Sequence, residues 1–566
     1  MGMLVNYREK SLKIALTIVA SIGVFFTHTV PAANLSSESS RPNIIVIVAD
    51  DLGFNDLGYL GSEINTPNLD ALANTAVVLN NFHAAPTCSP TRSMLLSGTD
   101  NHIAGLGNMA EDLTADIEGK PGYEGYLNTR VASLPELFKN AGYHTYMTGK
   151  WHLGHDAETS PAARGFEQSF VLTDGGAGAF SNKLRIFGAG DANYRQGKEK
   201  VGKLPHDFYS TQFYTNTMID YIEKDRKTGA PFFAYLAYTA PHWPLQAPRA
   251  SIEKYKGKYD KGYDVLHKQR LKSLQALGLY DEETKAFPHT LDVKPWQELT
   301  PKEQKRQARI MEIYAAMIDD LDQYVGKLVS YLKSTNQYDN TLIVFMSDNG
   351  PEGNNIAEYL PGFTKWITNC CNNTFDNIGN ADSYVWLGSA WARAGSAPLR
   401  MFKGYTSQGG LRVPAFFHYP KAFPAQKNNQ TFIHVKDVMS TLLELADIKH
   451  PGTGKYQGRE VVAMQGDSIL PLLTAESNTI KRRQNYTGWE LNDYRALRSG
   501  DWKIYYSPDT VGHEALVSAR EWQLFNLASD PTEVNDLAKQ YPDKLTEMLT
   551  LWKSYVQENG VIILNQ

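Results

Sequence analysis

Hydrophobic and polar positions are distributed along this chain in blocks. From Ile44 to Ala49 the run Ile-Ile-Val-Ile-Val-Ala is unbroken, and it stops at Asp50-Asp51. Continuous β-branched runs of this length mark strands buried on both faces of a parallel sheet. Similar blocks stand at 144–148, 232–238 and 341–346. Between them the spacing becomes helical. Thr66 and Pro67 suit the N-cap and first position of one helix, and residues 133–143 form another that Gly142 stops. Over 311–333, Ile313, Met317, Leu321, Tyr324, Leu328 and Leu332 recur at helical spacing, with Asp319-Asp320-Leu321-Asp322 as a polar face. Strand and helix in alternation predict an α/β fold on a largely parallel sheet.

The pattern changes in three places. Residues 245–309 are charged, Lys-rich and helical without a strong strand, an insertion solvated by default and a candidate lid or oligomer contact. Asp174-Gly175-Gly176-Ala177-Gly178 lacks the strand-to-helix context of a nucleotide fingerprint and reads as a flexible loop. Near the end, a hairpin about Gly500-Asp501, a strand at 522–527, a turn at Asp530-Pro531 and a closing helix over 542–556 predict a small antiparallel α+β domain. The expected division is 1–33 leader, 34–475 main α/β domain and 476–566 C-terminal domain. No internal repeat or low-complexity tract interrupts it.

Composition narrows the classes. The 566 residues carry a formal net charge of -5 without a long basic run, which excludes nucleic acid as a partner. Arg8, Lys10 and Lys13 precede an apolar stretch at 14–26, and Val30-Pro31-Ala32-Ala33 supplies small residues for cleavage after Ala32 or Ala33. That layout is a secretory signal peptide, too short in its apolar part for a retained membrane anchor. The mature protein is therefore expected in the periplasm or outside the cell. Three cysteines, Cys88, Cys370 and Cys371, are too few to staple a protein of this size, so its fold rests on its core. Pairing of the adjacent Cys370 and Cys371 would be strained.

Candidate chemistry starts at Cys88-Ser89-Pro90-Thr91-Arg92. Pro90 suits the first turn of a helix, Met94-Leu95-Leu96 supplies its buried face and Gly98 its stop. Cys88 then lies at a helix N-terminus, where free N–H groups favour an anion, with Arg92 one turn away. Asp50-Asp51, Lys150 and His152, His242, and Asp348-Asn349-Gly350 each follow an expected strand. The carboxyl edge of an α/β sheet is where ligands bind, so one edge gathers these groups. Asp50, Asp51, Asp348 and Asn349 offer only oxygen, which selects a hard cation, Ca²⁺ or Mg²⁺, over Zn²⁺.

Cys-x-Pro-x-Arg before an apolar run and Gly resembles the type I sulfatase signature, whose cysteine is converted after synthesis to formylglycine. The resemblance continues in family order through Val48 to Gly53, Thr66-Pro67-Asn68-Leu69-Asp70, Gly149-Lys150-Trp151-His152-Leu153-Gly154, Ala240-Pro241-His242-Trp243-Pro244, Ser347-Asp348-Asn349-Gly350, and Lys403 before Gly409-Gly410-Leu411-Arg412-Val413-Pro414. It is greatest towards single-chain bacterial arylsulfatases of the Pseudomonas type. The resemblance implies an alkaline-phosphatase-like, mostly parallel central sheet flanked by helices, with a smaller C-terminal antiparallel α+β domain.

It also implies roles. Asp50, Asp51, Asp348 and Asn349 would hold one Ca²⁺ beside Cys88, itself modified by a formylglycine-generating enzyme. Arg92 would fix the formylglycine hydrate and His152 would hydrogen-bond it. Lys150 and Lys403 would bind sulfate oxygens, and His242 would protonate the leaving alcohol. The implied activity is hydrolysis of sulfate monoesters, on a sulfated small molecule or glycan, through a covalent sulfo-enzyme. Two other readings fit the residues: a phosphonate monoester or phosphodiester hydrolase on the same site, and an exported glycan-binding scaffold unconverted at Cys88.

Overall fold

Every residue of β1 (Asn43–Ala49) is buried, because both faces of this strand are covered. Ile45, Ile47 and Ala49 enter one hydrophobic core, whereas Ile44, Val46 and Val48 enter a second on the opposite face. A pleated strand sends alternate side chains to opposite faces, so an unbroken apolar run feeds two cores at once. The computed structural model describes residues 41–288, 293–356, 362–508 and 520–563. The leader expected over 1–33 lies outside them.

The sheet around β1 has ten strands. In chain order the others are β2 (Val77–Leu79), β3 (His144–Lys150), β4 (Gln168–Leu172), β5 (Tyr194–Gln196), β6 (Glu199–Lys200), β7 (Phe232–Ala237), β8 (Thr341–Ser347), β9 (Ala415–His418) and β10 (Gln426–Asn429). Their spatial order is β10-β2-β9-β8-β1-β7-β3-β4-β5-β6. The centre, β8-β1-β7-β3-β4, is parallel throughout. Strands β9 and β5 flank it antiparallel, and β6 pairs antiparallel with β5. The four strands whose ends carry the candidate groups, β8, β1, β7 and β3, are thus immediate neighbours.

Helices cover both faces. On one lie α4 (Ser210–Asp225), through Tyr214, Met218 and Ile222, and the long α6 (Pro301–Ser334), through Met311, Ile313, Tyr314 and Leu321. On the other lie α2 (Cys88–Ser97), α3 (Leu134–Asn140) and α8 (Lys436–Leu445), through Met94, Leu95, Leu137, Phe138, Met439 and Leu442.

Two expectations about the α6 side are corrected. Asp319, Asp320 and Asp322 are buried. Asp322 takes the N–H groups of Asn68 (3.2 Å) and Leu69 (2.7 Å) at the start of α1 (Pro67–Asn74), where the Thr66 side chain makes no cap bond. Tyr255 donates to Asp319 at 3.0 Å, and Tyr209 and Ser251 donate to Asp320 at 2.9 and 2.7 Å. The 245–309 insertion is likewise not a solvated appendage. Tyr255, Tyr259, Tyr263 and Leu266 pack into the core, and Arg270 of α5 (Tyr263–Ala276) is buried against Asp56 and Glu63. Its last residues are the first turns of α6.

The C-terminal part is a four-stranded antiparallel meander: β11 (Thr487–Leu491), β12 (Tyr494–Ser499), β13 (Trp502–Tyr506) and β14 (Gln523–Asn526). Leu497, Ile504 and Leu524 on one face meet Met548, Trp552 and Tyr555 of α9 (Pro542–Asn559). On the other, Ala496, Tyr505 and Phe525 pack with Trp489 and Leu411, and Trp489 Nε1 donates to the Ala84 carbonyl at 2.9 Å. Cys370 and Cys371 form a disulfide at the end of α7 (Phe363–Cys370). The chain leaves the helix there and becomes extended at Cys371 (φ -137°, ψ 145°).

Candidate active site

Cys88 begins α2. Thr87 before it is extended, Pro90 falls in the first turn, and Gly98 ends the helix in the left-handed region (φ 64°), as the sequence predicts. Arg92 follows one turn later and is fully buried. Its Nε and Nη2 donate to Asp348 Oδ2 at 3.0 and 2.7 Å, its Nη1 donates to the Lys150 carbonyl at 3.0 Å, and Nη2 lies 3.4 Å from Asp50 Oδ1. The guanidinium therefore ties the ends of β1, β3 and β8 around the thiol.

Each of the paired aspartates has its own lysine. Lys150 Nζ donates to both Asp50 oxygens at 2.8 and 2.9 Å, and Lys403 Nζ to both Asp51 oxygens at 2.7 and 2.9 Å. Asp51 takes a positive φ of 65°, which aspartate tolerates better than most residues. Asn349 Nδ2 donates to Asp51 Oδ1 at 2.7 Å. Cys88 Sγ lies 3.4 Å from Asp50 Oδ1 and 3.9 Å from Asp51 Oδ1.

The Gly350 that follows Asn349 is required by packing. A Cβ there would come within 2.0 Å of the Gly409 carbonyl oxygen, and the Gly350 N–H donates to Gly410 O at 3.0 Å. The loop carrying Lys403 is held in this way against the loop carrying Asp348.

Burial and charge set the protonation states. Burial raises Asp50 to about 7 even with Lys150 beside it. Burial also opposes ionisation of Asp51 and Asp348, but Lys403 and His242 hold the first below the usual carboxylate range, and Arg92 and Lys150 the second. Burial and Asp348 push the Cys88 thiol well up. It remains a protonated, poorly nucleophilic thiol at neutral pH.

Two histidines flank this cluster. His242 Nδ1 donates to the Trp243 carbonyl at 2.5 Å, leaving Nε2, 3.6 Å from Asp51 Oδ2, with a lone pair in the neutral ring. Burial, reinforced by Lys403 and Lys150, lowers His242 to about 3 against the pull of Asp51. His152 (φ 53°) points Nε2 at both oxygens of Glu111, at 2.9 and 3.1 Å. A carboxylate only accepts, so Nε2 carries the proton, and Nδ1, buried without a hydrogen-bond partner, keeps its lone pair. Burial lowers His152 despite Glu111.

A divalent cation fits these residues. Ligand atoms of Asp50, Asp51, Cys88 and His242 lie within 4.8 Å of one another, and the buried Asn349 Oδ1 has no hydrogen-bond partner. Asp50, Asp51 and Asp348 supply at most three negative charges against Arg92, Lys150 and Lys403, so a dication would leave the centre positive towards an anionic substrate.

A cavity of about 450 Å³ opens over Cys88. His152, His242 and Lys403 line it, together with Gly175, Ile186 and Phe187 of the 174–190 loop, and Trp243. Among the described residues none of the 245–309 insertion lines it. Sequence reasoning missed three lining carboxylates, Glu111, Asp112 and Glu352. Glu352 stands two residues after Gly350, where proximity to a motif was a usable signal. The first two lie in a stretch with no pattern to single them out.

A buried charge cluster at the carboxyl edge of a helix-flanked parallel sheet, under a cavity, defines an ester hydrolase of alkaline-phosphatase-like fold. The sulfatase family profile matches residues 42–448, and an N-sulphoglucosamine sulphohydrolase C-terminal profile matches residues 401–557. The chain belongs to the sulfatase family. It is 43% identical over 554 residues to an uncharacterized sulfatase of Schizosaccharomyces pombe, covering 94% of this chain and 96% of that one. It is 40% identical over 419 residues to an arylsulfatase of Klebsiella aerogenes, covering 73% and 88%. The crystal structure of Ps i-CgsB in complex with k-i-k-neocarrahexaose aligns with a TM-score of 0.63 at 25% identity, over 92% of this chain and 94% of that one. The protein is a sulfuric ester hydrolase. No helix among the described residues is long and apolar enough to cross a membrane.

Proposed function

We propose that this enzyme cleaves sulfate monoesters bound over residue 88, with Cys88 converted to formylglycine by a formylglycine-generating enzyme and one Ca²⁺, or Mg²⁺, held by Asp50, Asp51, Asp348 and Asn349. The observation that carries the reading is the position of Cys88 Sγ, 3.4 and 3.9 Å from two carboxylates, as a thiol that burial keeps protonated. Sγ stands where an oxygen of the modified side chain would lie, Cβ becoming the aldehyde carbon. When present, the cation would neutralise charge on the sulfate oxygens. The hydrated aldehyde would supply one hydroxyl for attack on sulfur and a second for release of sulfate, which a plain thiol lacks.

The remaining roles belong to the chain. Lys150 and Lys403, paired with Asp50 and Asp51 in the free protein, would turn to the sulfate oxygens. Arg92 would hold Asp348, and with it the strand ends, around residue 88. The His152 lone pair on Nδ1 would accept a proton from a hydroxyl on residue 88, with Glu111 fixing the tautomer. His242 Nε2 would deliver a proton to the departing alcohol. Because the ring is neutral in the free protein, it must first be charged as the anionic ester enters beside it. Export through a leader at 1–33, and division of the mature chain at residue 475, complete the proposal.

Peptide mass spectrometry across residue 88, on protein from its native host, tests this directly. An aldehyde in place of the thiol is expected. A thiol throughout, in folded and exported protein, would overturn the reaction and favour an unconverted glycan-binding scaffold.

A further inference from the structure

Away from residue 88 the cavity is lined with acid. Glu111, Asp112 and Glu352 all face it, and Lys403 is the only lysine or arginine among its described lining residues. Lys403 is already committed to Asp51 and, at 3.5 Å, to Glu352.

Two of the three acids are occupied. Glu111 accepts from His152. Glu352 Oε1 accepts from Asn354 N and Nδ2 at 2.8 and 2.7 Å. Asp112 is half-buried, and no described side chain donates a hydrogen bond to its carboxylate or forms an ion pair with it. Burial and the neighbouring Glu111 raise it to about 7, with Lys403 opposing and Glu352 adding to the shift. A carboxylate crowded by like charge is one that a ligand cation would relieve.

The same cavity has an apolar side. Ile186, Phe187 and Trp243 line it, the two rings meeting edge-on with centroids 5.5 Å apart. Ring faces accept both a flat aromatic group and a cation. A volume of about 450 Å³ suits a small ligand of one ring and a short tail.

We propose that the cavity selects a monosulfate ester of a phenol whose far end carries an ammonium group, with Asp112 as the anchor of that cation. The proposal rests on the sulfatase reading and deepens it. The sulfate meets the lysines over residue 88, the ring meets Phe187 and Trp243, and the ammonium meets the one carboxylate without a partner. A second sulfate or a carboxylate on the substrate would instead face three acids, which disfavours polysulfated glycans.

Three probes of similar size separate charge from shape: tyramine O-sulfate (ammonium), 4-ethylphenyl sulfate (neutral) and 4-hydroxyphenylacetate O-sulfate (carboxylate). kcat/KM is measured for each with aldehyde-bearing enzyme and with its Asp112→Asn variant. The wild type is expected to favour the ammonium probe over the neutral one about tenfold, through KM, and to place the carboxylate probe last. In Asp112→Asn the ammonium-to-neutral ratio should fall to about twofold or less. That ratio, taken within one protein, does not depend on how much of the variant folds. Equal rates on all three probes, or preference for the carboxylate probe, would overturn the charge selection and leave the sulfatase reading standing. A preference retained in Asp112→Asn would overturn the anchor. Hydrolysis of none of them by protein carrying the aldehyde would overturn this substrate class, while the mass spectrum at residue 88 alone decides the nucleophile.

Discussion

Arg92 and Asp348 form a two-point contact, Nε and Nη2 on the same Oδ2 at 3.0 and 2.7 Å, with both side chains fully buried. Removing one member of such a pair leaves an uncompensated charge in the interior, at a cost of about 3–5 kcal/mol. Arg92→Ala is expected to lose that much in urea denaturation. Arg92→Lys, which keeps the charge but not the fork, should fall between the two and should not restore turnover.

Asp322 reaches from α6 to cap α1, accepting from Asn68 N and Leu69 N. In Asp322→Ala two helix N-terminal N–H groups lose their acceptor in a buried setting, an expected loss of about 1–3 kcal/mol. The measurement is the denaturation midpoint. Because α1 contributes nothing to the cavity lining, kcat on an aryl sulfate should stay within about twofold. A large fall in kcat at unchanged stability would contradict a purely structural role.

His102 links the main part of the protein to the C-terminal meander, with Nδ1 2.7 Å from Asp100 Oδ1 and Nε2 3.3 Å from Glu490 Oε2. Burial opposes the charged ring, but these two acceptors raise it to about 9 from 6.5. The raised value fixes the sign: the stabilisation is complete below about pH 6.5 and is lost as pH rises through about 9. At about 1.4 kcal/mol per unit this amounts to about 3.5 kcal/mol at most. The Tm of the wild type should therefore drop between pH 6.5 and 9 more steeply than that of His102→Asn, and the two curves should converge above that range.

These residues show what could be read before the structure. β1 was legible because a strand covered on both faces needs an apolar residue at every position, and α2 because Pro90 and Gly98 mark its ends. Asp50, Asp51, Lys150, His152, His242, Asp348 and Asn349 were legible because each follows a recognisable strand, and strand ends on one edge must meet. Asp319, Asp320 and Asp322 misled, since a run of acids on a helix looks solvated until the hydroxyls and free N–H groups that satisfy it arrive from distant segments. The 245–309 insertion misled for a related reason: its lysines are exposed, but its tyrosines carry the packing. Glu111 was invisible because its significance lies in a contact with His152, 41 residues away, and no local spacing encodes that.

Lys403 and a cation at Asp51 oppose one another, which makes the metal reading testable without turnover. In the free protein Lys403 takes both oxygens of Asp51, at 2.7 and 2.9 Å. A cation held by Asp51 must therefore share that carboxylate with an ammonium, and the two repel. Replacing the ammonium by an apolar side chain of similar length removes the competitor. Lys403→Met is thus expected to move two quantities in opposite directions. Its midpoint for Ca²⁺ in a thermal-shift titration should fall, by about tenfold for about 1.4 kcal/mol of relieved repulsion. Its kcat on an aryl sulfate should fall at least ~100-fold, because the same ammonium would bind sulfate oxygens in the transition state. In Asp51→Asn the Ca²⁺-dependent rise in Tm should be largely lost. Absence of any rise in the wild type, stripped of metal and returned to millimolar Ca²⁺ or Mg²⁺, would remove the cation from the site. Weaker Ca²⁺ binding in Lys403→Met would show instead that the lysine supports the metal rather than competing with it.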